Sequence, residues 1–322
     1  MTFSHAICLA ALLCFGVPDS RAQPAFPSRT VTIVVPFTPG TGADVIARLL
    51  QPRLAERLQV AVVVENRAGA SGAIGTEFVA RAPADGYTLL FTATAHGTVP
   101  ALKRNLPYDA EKSFTPVALA ATSALALVVG PQVPAAKMED FIALAKSKPG
   151  TLYYASPGNG SPQHLAMELI KQETGIDLVH VPYKGSSGAA TDLVGGHVQA
   201  SVAALQTMAP YVTSGRLRML AVLSGERSAA FPEVPTMKEL GHPSLVVDTW
   251  YGVFAPAGTA PEIVARLNSE IDALLRLPGL RDAFAKQGLA AVADRPERLG
   301  DLLGEELGRW HRVVANAHIT GE

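Results

Sequence analysis

The sequence predicts an α/β protein of two domains, the second inserted into the first, and three observations carry that expectation. Short apolar runs rich in β-branched residues alternate with helical patterns along most of the chain. Gly-rich turns repeatedly stand where a strand ends and a helix begins. One apolar stretch is interrupted by a short polar link and a second ends in a polar turn, at the places where a chain would leave one domain and return to it. With 322 residues, 48% of them apolar, and a formal net charge of -1, the chain is long enough for two cores. The near-neutral balance and the lack of any Lys/Arg cluster exclude a long-range field for nucleic acid.

Residues 7–17 (ICLAALLCFGV) form an apolar run of signal-peptide length, too short to span a bilayer. Pro18 breaks the run, and Ser20 and Ala22 place small residues at -3 and -1 of a cleavage site before Gln23. The first five residues lack Lys and Arg, which an export leader normally has, so a buried N-terminal helix is the alternative. Both cysteines of the chain, Cys8 and Cys14, fall in this segment. Leu13 is too bulky for the usual lipoprotein pattern at Cys14. A chain cleaved before Gln23 has no disulfide, no thiolate metal ligand and no Cys nucleophile.

In order, buried strands are expected at 30–35 (TVTIVV), 60–64 (VAVVV), 87–91 (YTLLF), 125–129 (LALVV), 178–181 (LVHV) and 217–222 (LRMLAV). Helical patterns cover 44–58, 138–146, 162–173 and 189–193. The alternation argues for parallel sheets covered by helices, with ligands at the carboxyl ends of the strands. The run 116–130 reads as two strands joined by a polar link at Thr122 and Ser123, a crossing between domains; 220–225 (LAVLSG) offers the return. The resulting division is residues 1–22 as leader, 23–123 with 226–322 as domain 1, and 124–225 as domain 2. Near the C-terminus, Thr259-x-x-Glu262 and Asp294-x-x-Glu297 resemble capping boxes that open packing helices.

Three strand-to-helix loops are rich in Gly and small hydroxyls: 36–44 (PFTPGTGAD), 156–161 (SPGNGS) and 183–188 (YKGSSG). Free N–H groups at a helix start, with the helix dipole behind them, favour a carboxylate or phosphate. Such turns are also Gly-rich for geometry alone. Gly40-x-Gly42 lacks the third Gly of a dinucleotide fingerprint. Asp44 is suited either to a ligand amine or to the dipole of the helix it opens. His164 and His180 read as packing or hydrogen-bonded support. Ser156, His164 and Asp192 supply the residue types of a hydrolytic triad, but no G-x-S-x-G elbow is present. No metal-ligand spacing occurs, and neither a metal nor an organic cofactor is implied.

At these loops the sequence resembles the Bug family of substrate-binding proteins, the extracytoplasmic receptors of tripartite tricarboxylate transporters. The matching stretches are VVPFTPGTGADVIAR (34–48), VVENRAGASGAIGTEFVARAPADGYTLL (63–90), LPYDAEKSFTPV (106–117), SPGNGSPQHLAMEL (156–169), HVPYKG (180–185), TDLVGGHV (191–198), LAV (220–222) and WYGVFAPAGTAP (250–261). They follow the family's order and cover nearly all of the chain after residue 22. The resemblance implies a periplasmic-binding-protein-like fold, with a hinge of two crossing strands and a ligand cleft between the domains. It implies a periplasmic monomer without catalytic residues, which captures a small carboxylated molecule and is read by membrane transporter subunits or by a membrane sensor; the competing reading is a periplasmic enzyme on the same fold.

On that resemblance, one ligand carboxylate is held by the first domain at Phe37, Pro39, Gly40, Thr41, Gly42 and Asp44 and by Thr94 and His96, largely through backbone groups and bridging water. The second domain reads the rest of the ligand through Ser156, Gly158, Asn159, Gly160, Ser161 and His164, and through Tyr183, Gly185 and Ser187. Two positions depart from the family pattern. Thr41 and Ala43-Asp44 stand where adjacent glycines and a Thr-Asp pair are common. Ser186-Ser187-Gly188 replaces small residues and a Pro.

Overall fold

A computed structural model of the protein describes residues 26–103, 105–183, 185–317 and 319. The expected leader, its two cysteines and the cleavage position before Gln23 lie outside the described residues, as does Lys184 of the third loop. The first lobe opens with three strand-helix units: β1 (Val31–Val35), α1 (Gly42–Leu58), β2 (Val62–Asn66), α2 (Ala73–Ala80), β3 (Thr88–Ala93) and α3 (Ala95–Leu102). β1 pairs in parallel with both β2 and β3. It holds that central place because both of its faces are apolar: Val31, Ile33 and Val35 enter one core and Val34 another. Ile46, Leu50, Leu54 and Leu58 repeat every fourth residue on α1 and cover the first of these cores. Burying each of them contributes about 1.5–3 kcal/mol.

β4 (Phe114–Val129) is one continuous strand of 16 residues, where two strands with a polar link were expected. It pairs with the strand at Asp248–Pro256 as far as Ala124, then with other strands from Leu125 onward. Ser123 at the changeover needs no loop, because its Oγ donates to Gln206 Oε1 at 2.9 Å. The second lobe follows: α4 (Met138–Ser147), β5 (Tyr153–Ser156), α5 (Pro162–Thr174), β6 (Val179–Pro182), α6 (Ser186–Gly195), β7 (Ala200–Ala204), α7 (Leu205–Thr213) and β8 (Arg218–Val222). β5 is parallel to β6 and β7, whereas β4 runs antiparallel between β7 and β8. The chain ends in the first lobe with β9 (Asp248–Pro256), α8 (Pro261–Leu275), α9 (Pro278–Lys286), β10 (Ala290–Ala291) and α10 (Pro296–Asn316). β9 lies antiparallel between β3 and β4, so both sheets are mixed rather than purely parallel.

The return crossing falls later than the turn at 223–225. Residues 226–247, assigned to domain 1 from sequence, lie on the second sheet: Met237 N donates to Val222 O at 2.9 Å. Met237, Leu245 and Val247 share a core with Leu125 and Leu127. The polar Ser224-Gly225 turn only redirects the chain along β8, and the passage to the first lobe comes where Val247 gives way to β9. A third connection is helical. α10 buries Leu299 and Leu303 in the first lobe, but Trp310, Val313 and Val314 in the second. The two Thr/Asp capping boxes do not form; α8 and α10 start at Pro261 and Pro296 with Ala260 and Arg295 as N-caps. Proline in the first turn sets the start one residue beyond the pattern. Among the described residues no helix is long and apolar enough to cross a membrane.

Candidate functional site

The two lobes enclose a cavity of about 580 Å³. A depression of similar size, about 610 Å³, is walled by first-lobe residues such as Glu111, Pro116 and Arg298, and does not reach the second lobe. The interlobe cavity is therefore the one that lobe movement would open or seal.

Its second-lobe wall is the loop between β5 and α5, from Pro157 to Pro162. The sequence folds this loop tightly. Gly158 and Gly160 take φ of 147° and 70°, in the region that suits glycine. Ser161 is the N-cap of α5, its Oγ accepting from His164 N at 3.3 Å and donating to Gly158 O at 2.8 Å. Gly160 N donates to His164 Nδ1 at 3.0 Å, which makes that nitrogen the unprotonated one. His164 stacks on His180 with ring centroids 3.8 Å apart, and His180 Nε2 shares a hydrogen bond of 2.6 Å with Ser156 Oγ. Burial pushes both imidazoles down to about 4, so the pair is neutral at ordinary pH. Ser156 has no exposure, and its Oγ also donates to Gly158 O at 3.1 Å. Ser156, His164 and His180 thus stand behind the loop and hold its shape.

The third loop braces the second. Gly185 N donates to Pro157 O at 3.0 Å and Tyr183 N to Ser156 O at 2.9 Å. Tyr183 Oη donates to Asp192 Oδ2 at 2.6 Å, and Ser187 O accepts from Thr191 Oγ1 at 3.0 Å. None of Tyr183, Gly185 and Ser187 lines the cavity. Asp192, engaged by tyrosine, is not joined to Ser156, so the triad residue types do not assemble.

The first-lobe wall is one side of α3. Ala95, Thr98, Val99 and Leu102, at i, i+3, i+4 and i+7, face the cavity. Lys103, the C-cap, follows them. His96 lies on the other side, buried against Tyr108, Phe114 and Phe254, with Nε2 2.9 Å from Ala110 O. Burial pushes it down to about 4. Thr94 is fully buried; its Oγ1 accepts from Trp250 N at 2.8 Å and so ties α3 to β9. The wall is completed by Phe37 and by Ala70 and Ser71, two non-glycine residues with φ of 50° and 61°.

Of the first loop only Phe37 reaches the cavity. Asp44 closes the loop on itself: it accepts from Gly40 N at 2.8 Å, Asn66 Nδ2 at 2.9 Å and Arg48 Nε at 3.0 Å. Burial alone would raise its carboxyl, but these bonds outweigh burial and hold it below the usual carboxylate range. Pro39 and Gly40 are exposed. Thr41 Oγ1 turns back to Thr38 O at 3.0 Å, leaving α1 without a side-chain cap. Gly42 is required by packing, since a Cβ there would stand 2.5 Å from the Tyr251 hydroxyl.

A mixed sheet pair joined by crossing strands, with a cavity between the lobes, defines the two-lobed binding-protein class. Residues 46–319 match the family model described as tripartite tricarboxylate transporter family receptor. The chain is 38% identical to Protein BugT of Bordetella pertussis over 301 residues, 93% of this chain and 92% of that one. It also superposes on the R. palustris protein Rpa4515 with adipate, at a TM-score of 0.79, 34% identity, and coverage of 92% and 100%. MatC from Rhodopseudomonas palustris with bound malate gives 0.74, 34%, 90% and 100%. The chain belongs to the tripartite tricarboxylate transporter receptor family.

Proposed function

We propose that this protein is a non-catalytic periplasmic receptor that closes on a small carboxylated molecule between its lobes and presents it to membrane transporter subunits. The observation that carries the reading is the interlobe cavity, bounded by a helix face of one lobe and a Gly-rich loop of the other. The lobes are linked at β4, at the crossing into β9 and through α10, which fits closure by rotation about these connections. Solved family members with adipate and malate support an acid as the ligand. Binding rather than turnover is supported by the lining itself: the described lining residues include no His, Cys, Asp or Glu, and Ser156 is sealed behind the loop.

Of the residues expected at the ligand, Phe37 and Gly158 to Ser161 are the ones that line the cavity. Calorimetry of the purified protein against adipate, malate, citrate, benzoate and the neutral adipamide tests the reading. At least one acid is expected to bind and raise the thermal transition; binding of the neutral amide alone refutes it. Export is part of the same proposal. Intact mass of the protein recovered from the periplasm should correspond to loss of the first 22 residues, and an uncut or lipid-bearing chain would replace the cleaved leader with an anchor.

A further inference from the structure

Among the described residues lining the cavity, Lys103 is the only one that carries a charge. It stands where the helix side of the wall meets the left-handed turn at 69–72. Its Nζ donates to Ala70 O at 3.3 Å, one contact for a group with three donors. No carboxylate among the described residues forms a salt bridge with it. The bland role for a lysine at a helix C-terminus is to complement the dipole. That role does not require the ammonium to border a cavity or to brace a strained turn. Gly69, Ala70, Ser71 and Gly72 all have positive φ, at 137°, 50°, 61° and 96°. For Ala70 and Ser71 that conformation costs about 1–2 kcal/mol each, offset in part by the turn's own bonds from Gly72 N to Gly69 O and from Ala73 N to Ala70 O.

We infer that Lys103 selects the charge of the ligand: it takes one carboxylate at the first-lobe wall, with Ser71 beside it. The inference rests on the carboxylate-receptor reading above and deepens it. Phe37, Val99 and Leu102 present carbon to the middle of the cavity. Across it, Asn159 and Ser161 offer neutral polar groups only. One cation in a partly closed cavity neutralises one carboxylate; a second buried carboxylate would meet hydrogen bonds but no opposite charge. The ligand class is therefore an organic acid with one ion-paired carboxylate, an apolar carbon body, and a far end whose charge is dispensable.

The test uses the full mature chain, the straight-chain diacids from malonate to sebacate with their monomethyl and dimethyl esters, and benzoate with methyl benzoate. For whichever acid the native protein binds best, the monomethyl ester of a diacid should bind within about threefold of the acid. Removing the last carboxylate should weaken binding roughly tenfold to a hundredfold, as expected for one charge-assisted hydrogen bond. Lys103→Gln keeps an N–H for Ala70 O and removes only the charge. It should lose the acid by the same factor and bind the full ester as the native protein does, while Lys103→Arg restores discrimination. Unliganded thermal transitions confirm that each variant is folded. Unchanged acid affinity in Lys103→Gln, or equal losses for acid and ester, overturns the charge-selecting role while leaving the receptor reading intact. If the native protein binds none of these acids, the receptor reading falls first and this inference with it.

Discussion

The cavity has two walls of opposite construction. The second-lobe wall is backbone: a loop whose glycines, N-cap serine and buried histidines fix the Gly158 and Gly160 N–H groups and the Gly158 C=O. The first-lobe wall is side chain: Ala95, Thr98, Val99 and Leu102 on one face of α3, with Lys103 at its end. A backbone wall is rigid and carries no net charge, so it recognises shape and hydrogen-bonding pattern. A side-chain wall sets volume and charge and can change by substitution without refolding a turn. The pair of walls thus separates a constant frame from an adjustable face, with the strained turn at Ala70 and Ser71 as the one place where the first lobe also uses backbone.

The walls touch at Gly160 and Leu102, and substitution there should have the largest effect on binding. Gly160 has φ of 70°, and a Cβ added to it would overlap Leu102 Cδ1 across the cavity. Gly160→Ala should therefore hold the lobes apart. Overpacking of this kind costs about 1–3 kcal/mol, an affinity loss of roughly fivefold to a hundredfold for any ligand that needs the closed cleft. Adding Leu102→Ala should recover part of the loss, because it removes the obstructing carbons. Gly40→Ala is the comparison on the other lobe. Its φ is 84°, but open space surrounds the new Cβ. It should cost about 1–2 kcal/mol of stability and leave ligand affinity within about twofold. Calorimetry on the three variants decides the matter: equal affinity losses at Gly40 and Gly160, or no rescue by Leu102→Ala, would mean that the cavity does not close at this contact.

The same contrast explains what could be read in the sequence. A Gly-rich loop followed by Ser-Pro announces a helix start locally, so Gly158, Asn159, Gly160 and Ser161 were visible without a fold. The α3 face was not. Its positions 95, 98, 99 and 102 have helical spacing, but His96 is the chemically conspicuous residue, and only the packing of Tyr108, Phe114 and Phe254 around it shows which side is the core. Ala70 and Ser71 carry no signal for left-handed backbone beyond the flanking glycines. The strand alternation was legible for β1, β2, β3, β6 and β8. β7 (ASVAA) and β5 (YYAS) carry little strand signal because they are short and poor in branched side chains. From sequence β4 reads as two strands because Thr122 and Ser123 look like a break; their partners come from α7 and the second strand crossing, both remote in sequence. The return crossing was displaced for a related reason, since nothing local to Ser224-Gly225 reveals that Met237 will come back to pair beside Val222.

The histidines behind the walls sharpen the comparison with smaller effects. His164 belongs to the backbone wall, where its Nδ1 is the acceptor for the buried Gly160 N–H. His164→Leu leaves that N–H unpaired, which should cost about 1–3 kcal/mol of stability and several-fold in affinity as the loop loosens. His96→Leu removes the hydrogen bond to Ala110 O but also a buried Nδ1 that has no partner among the described residues. Its cost should be about 0.5–1.5 kcal/mol, with affinity unchanged, because the ring lies on the side of α3 away from the cavity. Acid titration supplies the second readout. Each histidine is pushed down from 6.5 to about 4 by burial, so the unfolded chain takes up protons first as the pH falls. Their contribution is complete above about 6.5 and is lost as the pH drops through about 4. Asp248 and Glu306, which burial pushes up to about 6 and 7, act in the opposite sense: they favour the folded chain at low pH and lose that contribution as the pH rises. The informative quantity is therefore the difference between wild-type and variant denaturation curves at each pH. For both variants that difference should shrink between pH 6.5 and 4. Only His164→Leu should also weaken ligand binding at neutral pH; a comparable affinity loss in His96→Leu would show that the side-chain wall, like the backbone wall, depends on what stands behind it.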